Sequence, residues 1–522
     1  MKCLIGLDFG TQSARAVLVS ADDGAVLRAH RMTYPHGVMD GALACAADYE
    51  EVLFALIRAV ATEEYRNSIA GICVDATSLS LVPVADTGDA LSSRPAFSDR
   101  AHAQIKLWKR HSAQPQADEA LALAKARGER FLGRTGGSIS SEWTLPKLLE
   151  TRDEDPEVYA QIDMAMDLCE YLTYKLTGRL VRSAGSMGFK GLWSRDLGFP
   201  PDAYLDALRP GFAKEYRRLL RGDVKCPGAR AGFLSPALCA QFGLRSDVAV
   251  ATGVLDGHTA LVAMGALGAG DAALVIGTSN VLTIQTERLI ELPDICGVAR
   301  DGLTQGLYGI EAGQSCTGDM LEWYVRRALP EEYRAEARAR GITAHDLLIE
   351  KVKQPWANAV VAADWWNGSR NAPSDLRLTG TITGLTLDTR PEQIYLGLLQ
   401  AIACGTRDIL TLCESHGVAV HRLLAAGGAA NKNGLLMREY AAILDRPIDV
   451  AQVREVPALG AAMFAAVAAG IYESPVQAYA HMGVKDFTRY VPDAANRDAY
   501  ARLYRKNRAM REMLLQLGEM RL

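Results

Sequence analysis

Leu4-Ile5-Gly6-Leu7-Asp8-Phe9-Gly10-Thr11-Gln12-Ser13 is the stretch that decides the fold. An apolar run ends on a lone acid, a Gly-Thr turn follows, and a second apolar run leaves the turn. A hairpin tip of this kind aims backbone N–H groups and hydroxyls outward, which suits phosphate oxygens. The pattern returns in the second half as Ala273-Leu274-Val275-Ile276-Gly277-Thr278-Ser279-Asn280-Val281. Shortly before it stands an acid among small residues, Gly253-Val254-Leu255-Asp256-Gly257-His258. Two phosphate-grasping turns and one acid are the parts of a phosphoryl-transfer cleft.

Working outward, residues 3–7, 14–20 and 26–32 read as three strands, with Asp23-Gly24 as a hairpin signal between the last two. A helix is predicted over 49–65 from the spacing of Val52, Leu53, Leu56 and Val60, then a buried strand over 69–75. Strand-strand-strand-helix-strand opens a ribonuclease H-like α/β unit. The second half repeats it: strands at 273–276, 281–286 and 306–310, helices at 319–328 and 391–415, and a strand at 423–426 running into Gly427-Gly428. The chain therefore reads as a diverged duplication, two ribonuclease H-like domains flanking a catalytic cleft, spanning 1–254 and 255–522. Residues 113–206 form a charged helical insertion on the first half, and 331–354 a helical excursion on the second. The tail, 494–517, is predicted as an amphipathic helix with Leu503, Tyr504, Met510, Met513, Leu514 and Leu517 on its apolar side. Packing on the body is its expected role; a homodimer contact is the lesser alternative.

Bulk properties agree. A chain of 522 residues is too long for one core. Hydrophobic content of 49%, charged content of 23% and net charge −4 describe a globular protein, and with no basic run nucleic acid is not an expected partner. The first residues enter a strand with no basic-then-apolar leader. No uninterrupted apolar stretch approaches the ~20 residues of a membrane span; the longest, 456–469, is short and rich in Ala and Gly. The ten cysteines include no C-x-x-C pair, and Cys73, Cys404 and Cys413 read as core residues, so a reducing, cytoplasmic compartment is expected. The nine histidines show no metal-ligand spacing.

Asp8, at the end of a buried strand, is read either as a Mg²⁺ ligand beside nucleotide phosphates or as a cap of its hairpin. Gly10, Thr11 and Gln12, and Gly277, Thr278 and Ser279, are weak signals singly and stronger as a facing pair. Asp256 fits a base that orients a hydroxyl and takes its proton, or the N-cap of a helix over 259–264. His258 is a rival base for which a structural role is favoured. Gly427 and Gly428 either let a ring or sugar approach the backbone or only turn a strand into a helix. The absence of G-x-x-x-x-G-K-[ST] and of G-x-G-x-x-G after the first strand excludes a Walker-type site and argues against a dinucleotide enzyme.

These elements in this order resemble the FGGY carbohydrate kinases of the actin-like ATPase superfamily, over essentially the whole chain. Ser140-Ser141-Glu142-Trp143, Glu311-Ala312-Gly313-Gln314-Ser315, and Asp364-Trp365-Trp366-Asn367-Gly368 are the more specific stretches, and resemble the branch that acts on L-ribulose. Lys106-Leu107-Trp108-Lys109 and Pro457-Ala458-Leu459-Gly460-Ala461-Ala462 support the same reading. The resemblance implies ATP and Mg²⁺ as cofactors, Asp256 as catalytic base, and Lys190 and Glu311 in the sugar site. Without it they would read as a surface lysine and a buried capping carboxylate. It also implies Gly277-Thr278-Ser279 at the ATP phosphates, and Gly427, Gly428 and Asn431 at adenosine. Two departures stand out. Ser78 occupies a position where alanine also occurs, against the sugar, and Ala441-Ala442 replaces a common Ala-Asp near adenosine. Xylulose, D-ribulose and ribitol are the rival substrates, and a non-catalytic actin-like ATPase is the rival of another class.

Overall fold

The computed structural model describes residues 1–453 and 455–519. Arg454 and the last three positions of the second expected domain lie outside the described residues. Two seven-stranded sheets organise the chain. In the first, Val26–Thr33, Ser13–Ser20, Cys3–Phe9, Ile69–Ala76, Ala249–Ala251 and Arg230–Phe233 lie side by side in that order. The first three pair antiparallel, the next two add in parallel, and the last returns antiparallel. In the second, Tyr308–Gln314, Asn280–Thr286, Asp271–Ile276, Arg422–Ala426, Ile448–Ala451 and Phe487–Tyr490 repeat the same sequence of orientations. Gly297–Arg300 is an extra edge strand there. The duplication is thus present strand for strand.

The central strands are buried on both faces, as continuous apolar runs require. Every residue of Cys3–Phe9 is buried. Helix Ala46–Val60 covers one face of the first sheet with Val52, Leu53, Leu56, Ile57 and Val60. It starts and stops a few residues before the expected span. Helix Pro391–Ser415 packs in the second lobe with Tyr440 and Ile443. By length and composition alone it could cross a membrane, although Gln400, Arg407 and Asp408 interrupt its apolar run, so the uninterrupted stretch stays short of a span. Its apolar window is, however, 78% buried inside the protein.

Helix Val456–Ala468 belongs to the second half in sequence yet lies on strands Cys3–Phe9 and Ile69–Ala76 of the first, beside helix Asp256–Met264. Leu4, Cys73, Ala260, Ala263, Ala458 and Ala462 share one core at this joint. The insertion on the first half has its own core around Phe131, Trp143, Leu148 and Tyr204. Cys73, Cys404 and Cys413 are core residues, as expected.

The C-terminal helix, Arg497–Glu519, packs Leu503, Tyr504 and Met510, but Met513 and Leu517 are about half exposed. The packed stripe contains polar residues instead. Asn507 Nδ2 donates to the Ala362 carbonyl (2.8 Å) and Arg511 Nη2 to Asp364 (2.5 Å). Leu514 also packs, so of the expected stripe Met513 and Leu517 alone fall outside it.

Glu439, on helix Gly434–Leu444, is 1% exposed and accepts hydrogen bonds from Gln400 (2.8 Å) and Tyr500 (2.9 Å). Burial pushes its carboxyl up to about 7 from an ordinary 4.5. The folded chain binds this proton more tightly than the unfolded one. Its stabilising contribution is therefore complete below pH 4.5 and lost as pH rises through 7. Glu439→Gln cannot ionise, and keeps both partners because the Tyr500 hydroxyl can also accept. The substitution is expected to raise stability at pH 8 by about 3 kcal/mol at most and to leave it unchanged at pH 4.5. Thermal unfolding midpoints at the two pH values check this; equal shifts at both would refute it.

Candidate active site

One cavity of about 1000 Å³ lies between the two sheets. It is lined by Asp8, Gly10, Thr11, Gln12, Ser78, Lys190, Asp256, Gly277, Thr278, Ser279, Glu311, Gly427 and Gly428. Every expected site residue except Asn431 is in that set. Asn431 lies further along helix Gly428–Lys432, exposed, with its amide donating to the Val453 carbonyl (3.3 Å). Ala442 is a core residue of the second lobe.

The two hydroxyl turns enter from opposite sheets. Gly10 N–H donates to the Ser13 carbonyl (3.1 Å), three residues on, and Gly277 N–H to that of Ser279 (2.8 Å), two residues on, so the second tip is the tighter. Residues 317–318 brace the second tip: Thr317 N–H donates to the Thr278 carbonyl (2.8 Å) and Gly318 N–H to that of Gly277 (3.1 Å). Gly427 has φ 111°, and a Cβ there would sit 2.3 Å from the Ile276 carbonyl oxygen. Only glycine fits that approach of one strand end to the Gly277 turn.

Asp8 is buried and meets Arg15 Nε at 3.1 Å; Arg15 in turn meets Glu455 at 2.7 Å. Asp8 and Arg15 face each other across the hairpin, an opposite-charge cross-strand pair that the register alone makes legible. Burial pushes Asp8 and its strand neighbour Asp75 upward. Arg15 already faces Asp8, but Asp75 Oδ1 beside it is buried without a hydrogen-bond partner, so the two carboxylates have an oxygen to spare and fit a divalent metal at Asp8.

Asp256 opens helix Asp256–Met264 as its first helical residue and is not the cap of a later one. Its Oδ1 accepts the Gly257 N–H (2.7 Å). Burial, helped by Asp8 and Glu311, pushes its carboxyl up to about 7.

Lys190, at the C-terminal end of helix Ala184–Phe189, is ion-paired with Glu311 on strand Tyr308–Gln314. Lys190 is buried and so is not a surface lysine, and Glu311 sits within a strand with Lys190 and His258 as partners and so caps no helix. Burial would raise the Glu311 carboxyl, but the Lys190 ammonium and a hydrogen bond from His258 hold it well below the carboxylate range. His258 turns its Nε2 to Glu311 Oε2 at 2.8 Å.

Ser78 precedes Leu79, whose φ of 64° is a left-handed conformation costly for leucine. Lys147 Nζ donates to the Leu79 carbonyl (2.6 Å), and Leu79 N–H donates to Asp167 (3.0 Å). These buried contacts hold the strained turn and so position Ser78 in the cavity wall.

Sequence reasoning missed a second link across the cleft. Arg370 Nη2 donates to Glu142 Oε1 (3.0 Å) and stacks over the Trp108 ring (5.0 Å). Trp108 Nε1 donates to Thr11 Oγ1 (3.1 Å). Burial would raise Glu142, but Arg370 and His111 hold it at about 2. Glu142 and Trp108 stand in stretches already singled out, and Arg370 follows Asn367-Gly368; a distant opposite-charge pairing has no local signal.

Two duplicated lobes close on one cavity, each contributing a Gly-Thr turn, with half-buried Asp256 and the Lys190–Glu311 pair in its wall, an arrangement of the actin-like ATPase fold. Models of the FGGY family of carbohydrate kinases match here, the N-terminal domain over residues 3–192 and the C-terminal domain over 272–469. The chain belongs to this family and is a carbohydrate kinase. It is 38% identical to the ribulokinase of Anoxybacillus flavithermus over 97% of this chain and 93% of that one. It is 39% identical to that of Mycolicibacterium smegmatis over 96% and 92%. The xylulose kinase of Rhodospirillum rubrum shares the fold, with TM-score 0.81, 23% identity and 99% of each chain covered.

Proposed function

We propose that this kinase transfers the γ-phosphoryl group of ATP to L-ribulose, giving L-ribulose 5-phosphate. The observation that carries the reading is the convergence of Asp256, the Lys190–Glu311 pair and both hydroxyl turns on one cavity. Curated relatives at 38–39% identity over nearly the full chain, each a ribulokinase, support the sugar. Asp256 orients the terminal hydroxyl and accepts its proton as the sugar oxygen forms its bond to phosphorus and the bond to ADP breaks. Lys190 and Glu311 hold the sugar's other hydroxyls, with Ser78 beside them. Gly10, Thr11 and Gln12 hold the phosphates from one side, and Gly277, Thr278 and Ser279 from the other. Gly427, Gly428 and Asn431 receive the adenosine. Asp8 would hold Mg²⁺, which when bound neutralises phosphate charge. A cytoplasmic location fits ten free cysteines and a need for ATP.

A panel of pentuloses and pentitols with coupled ADP detection tests the assignment. L-ribulose is expected to give the highest kcat/KM. A preference for xylulose, D-ribulose or ribitol would replace the sugar, and ATP turnover independent of any sugar would remove the reading. Ser78→Ala is expected to change KM for L-ribulose by less than about tenfold, because one hydroxyl at the wall is exchanged for a methyl. A larger loss, seen in the same assay, would make Ser78 a principal sugar contact.

A further inference from the structure

His258 is buried at 2% exposure, two residues after Asp256 on the same helix, and no step above uses it. Its surroundings fix what it can do. Glu311 spends one carboxylate oxygen on Lys190 and turns the other to His258 Nε2 at 2.8 Å. Paired with an ammonium, that carboxylate is an acceptor only, so the shared proton sits on Nε2. The opposite ring nitrogen, Nδ1, is buried and has no hydrogen-bond partner. It faces Gly185, where even a Cβ would lie 3.7 Å away. With no acceptor there, a proton on Nδ1 would be a buried donor without a partner, which folded chains avoid. The ring plane is set from the side by Phe189, edge-on at 5.1 Å between centroids. Phe189 is the residue before Lys190.

Resting on the sugar site proposed above, we infer that His258 is a positioning residue: it donates Nε2–H to Glu311 and fixes the carboxylate so that its remaining lone pairs, with the Lys190 ammonium, face the sugar hydroxyls. The contact also ties the sugar-holding pair to the helix that carries Asp256. Rotation of Glu311 and displacement of the base are therefore one event, and the sugar's two ends are registered against each other. A histidine that merely fills the core would be replaceable by leucine with no specific effect on sugar binding.

The test uses the full chain. In steady-state kinetics, His258→Leu is expected to raise KM for L-ribulose by about tenfold or more while KM for ATP stays within about twofold. His258→Gln, whose amide can donate from near the Nε2 position, is expected to recover most of the loss. Equal KM values for leucine and glutamine variants would overturn the inference, as would KM values for sugar and ATP that rise together. If the leucine variant does not fold, His258→Asn takes its place, since it is polar but too short to reach Glu311; an unchanged sugar KM there also overturns it. Independently, ¹⁵N-histidine spectra of the unmodified protein, assigned by the signal missing in His258→Gln, are expected to show Nε2 protonated and Nδ1 bare. A proton on Nδ1 alone refutes the donor role. If no pentulose is phosphorylated, the proposed function fails while these spectra still decide the role of His258.

Discussion

Asp256→Asn is expected to lower kcat by about 10²–10⁴, the usual contribution of a positioned base, with ATP still bound. That loss corresponds to roughly 3–5 kcal/mol of barrier. Asparagine keeps the shape and can still accept the Gly257 N–H that holds Asp256 Oδ1, so the helix start is preserved. What disappears is the acceptor for the sugar's proton. In the proposed site ATP would meet the chain through the turns at Gly10–Gln12 and Gly277–Ser279 and through Gly427-Gly428, which line the same cavity on their own backbone. Turnover by coupled ADP detection and ATP affinity by calorimetry separate the two effects. Undiminished turnover would remove Asp256 from the chemistry; a parallel collapse of ATP affinity would make it a binding residue.

The same carboxyl sets a pH limb. Burial pushes it up to about 7, with Asp8 and Glu311 adding to the shift. A base acts ionised, so kcat/KM for the sugar should climb between pH 6 and 8 and flatten above. The residual activity of Asp256→Asn should lack that limb. A limb that persists in the variant would belong to another group.

The duplicated sheets were legible because their signals are local: a buried strand, a Gly-Thr tip, a return strand. Pro391–Ser415 matched its expected helix to the residue because proline opens it and apolar spacing persists to its end. Helix Ala46–Val60 did not, because tertiary packing and not propensity decides where a helix stops. At the site, the turns and Asp256 could be found from short motifs. Lys190 and Glu311 could not be read from local spacing, since the partners are 121 residues apart and each is unremarkable alone; the family resemblance supplied them. The Glu142–Arg370 link spans 228 residues and escaped altogether. Asp8–Arg15 lay within reach of the hairpin register and was overlooked.

Gly6→Ala and Gly460→Ala should each destabilise the chain by about 3 kcal/mol or more, at or beyond the top of the usual range for overpacking. A Cβ on Gly6 would lie 1.9 Å from the Ala458 carbonyl oxygen, and one on Gly460 2.0 Å from that of Thr259. Gly71 repeats the situation against Ala465 at 2.6 Å. In each case the obstacle is backbone, which has no rotamer to escape into. These absences of side chain allow helix Val456–Ala468 to settle onto strands Cys3–Phe9 and Ile69–Ala76 and against helix Asp256–Met264. The helix is the member through which the second half grips the first. Displacing it moves more than packing. Gly6 lies two residues before Asp8, Thr259 three after Asp256, and Pro457 at the helix start lines the cavity. The fraction of Gly6→Ala that folds should therefore show raised KM for both ATP and sugar, unlike Asp256→Asn, which spares ATP. Thermal unfolding with paired KM measurements reads both consequences. An unchanged midpoint would mean that the helix can withdraw from the sheet at little cost. The joint between the lobes would then be looser than the contacts of Gly6, Gly71 and Gly460 require.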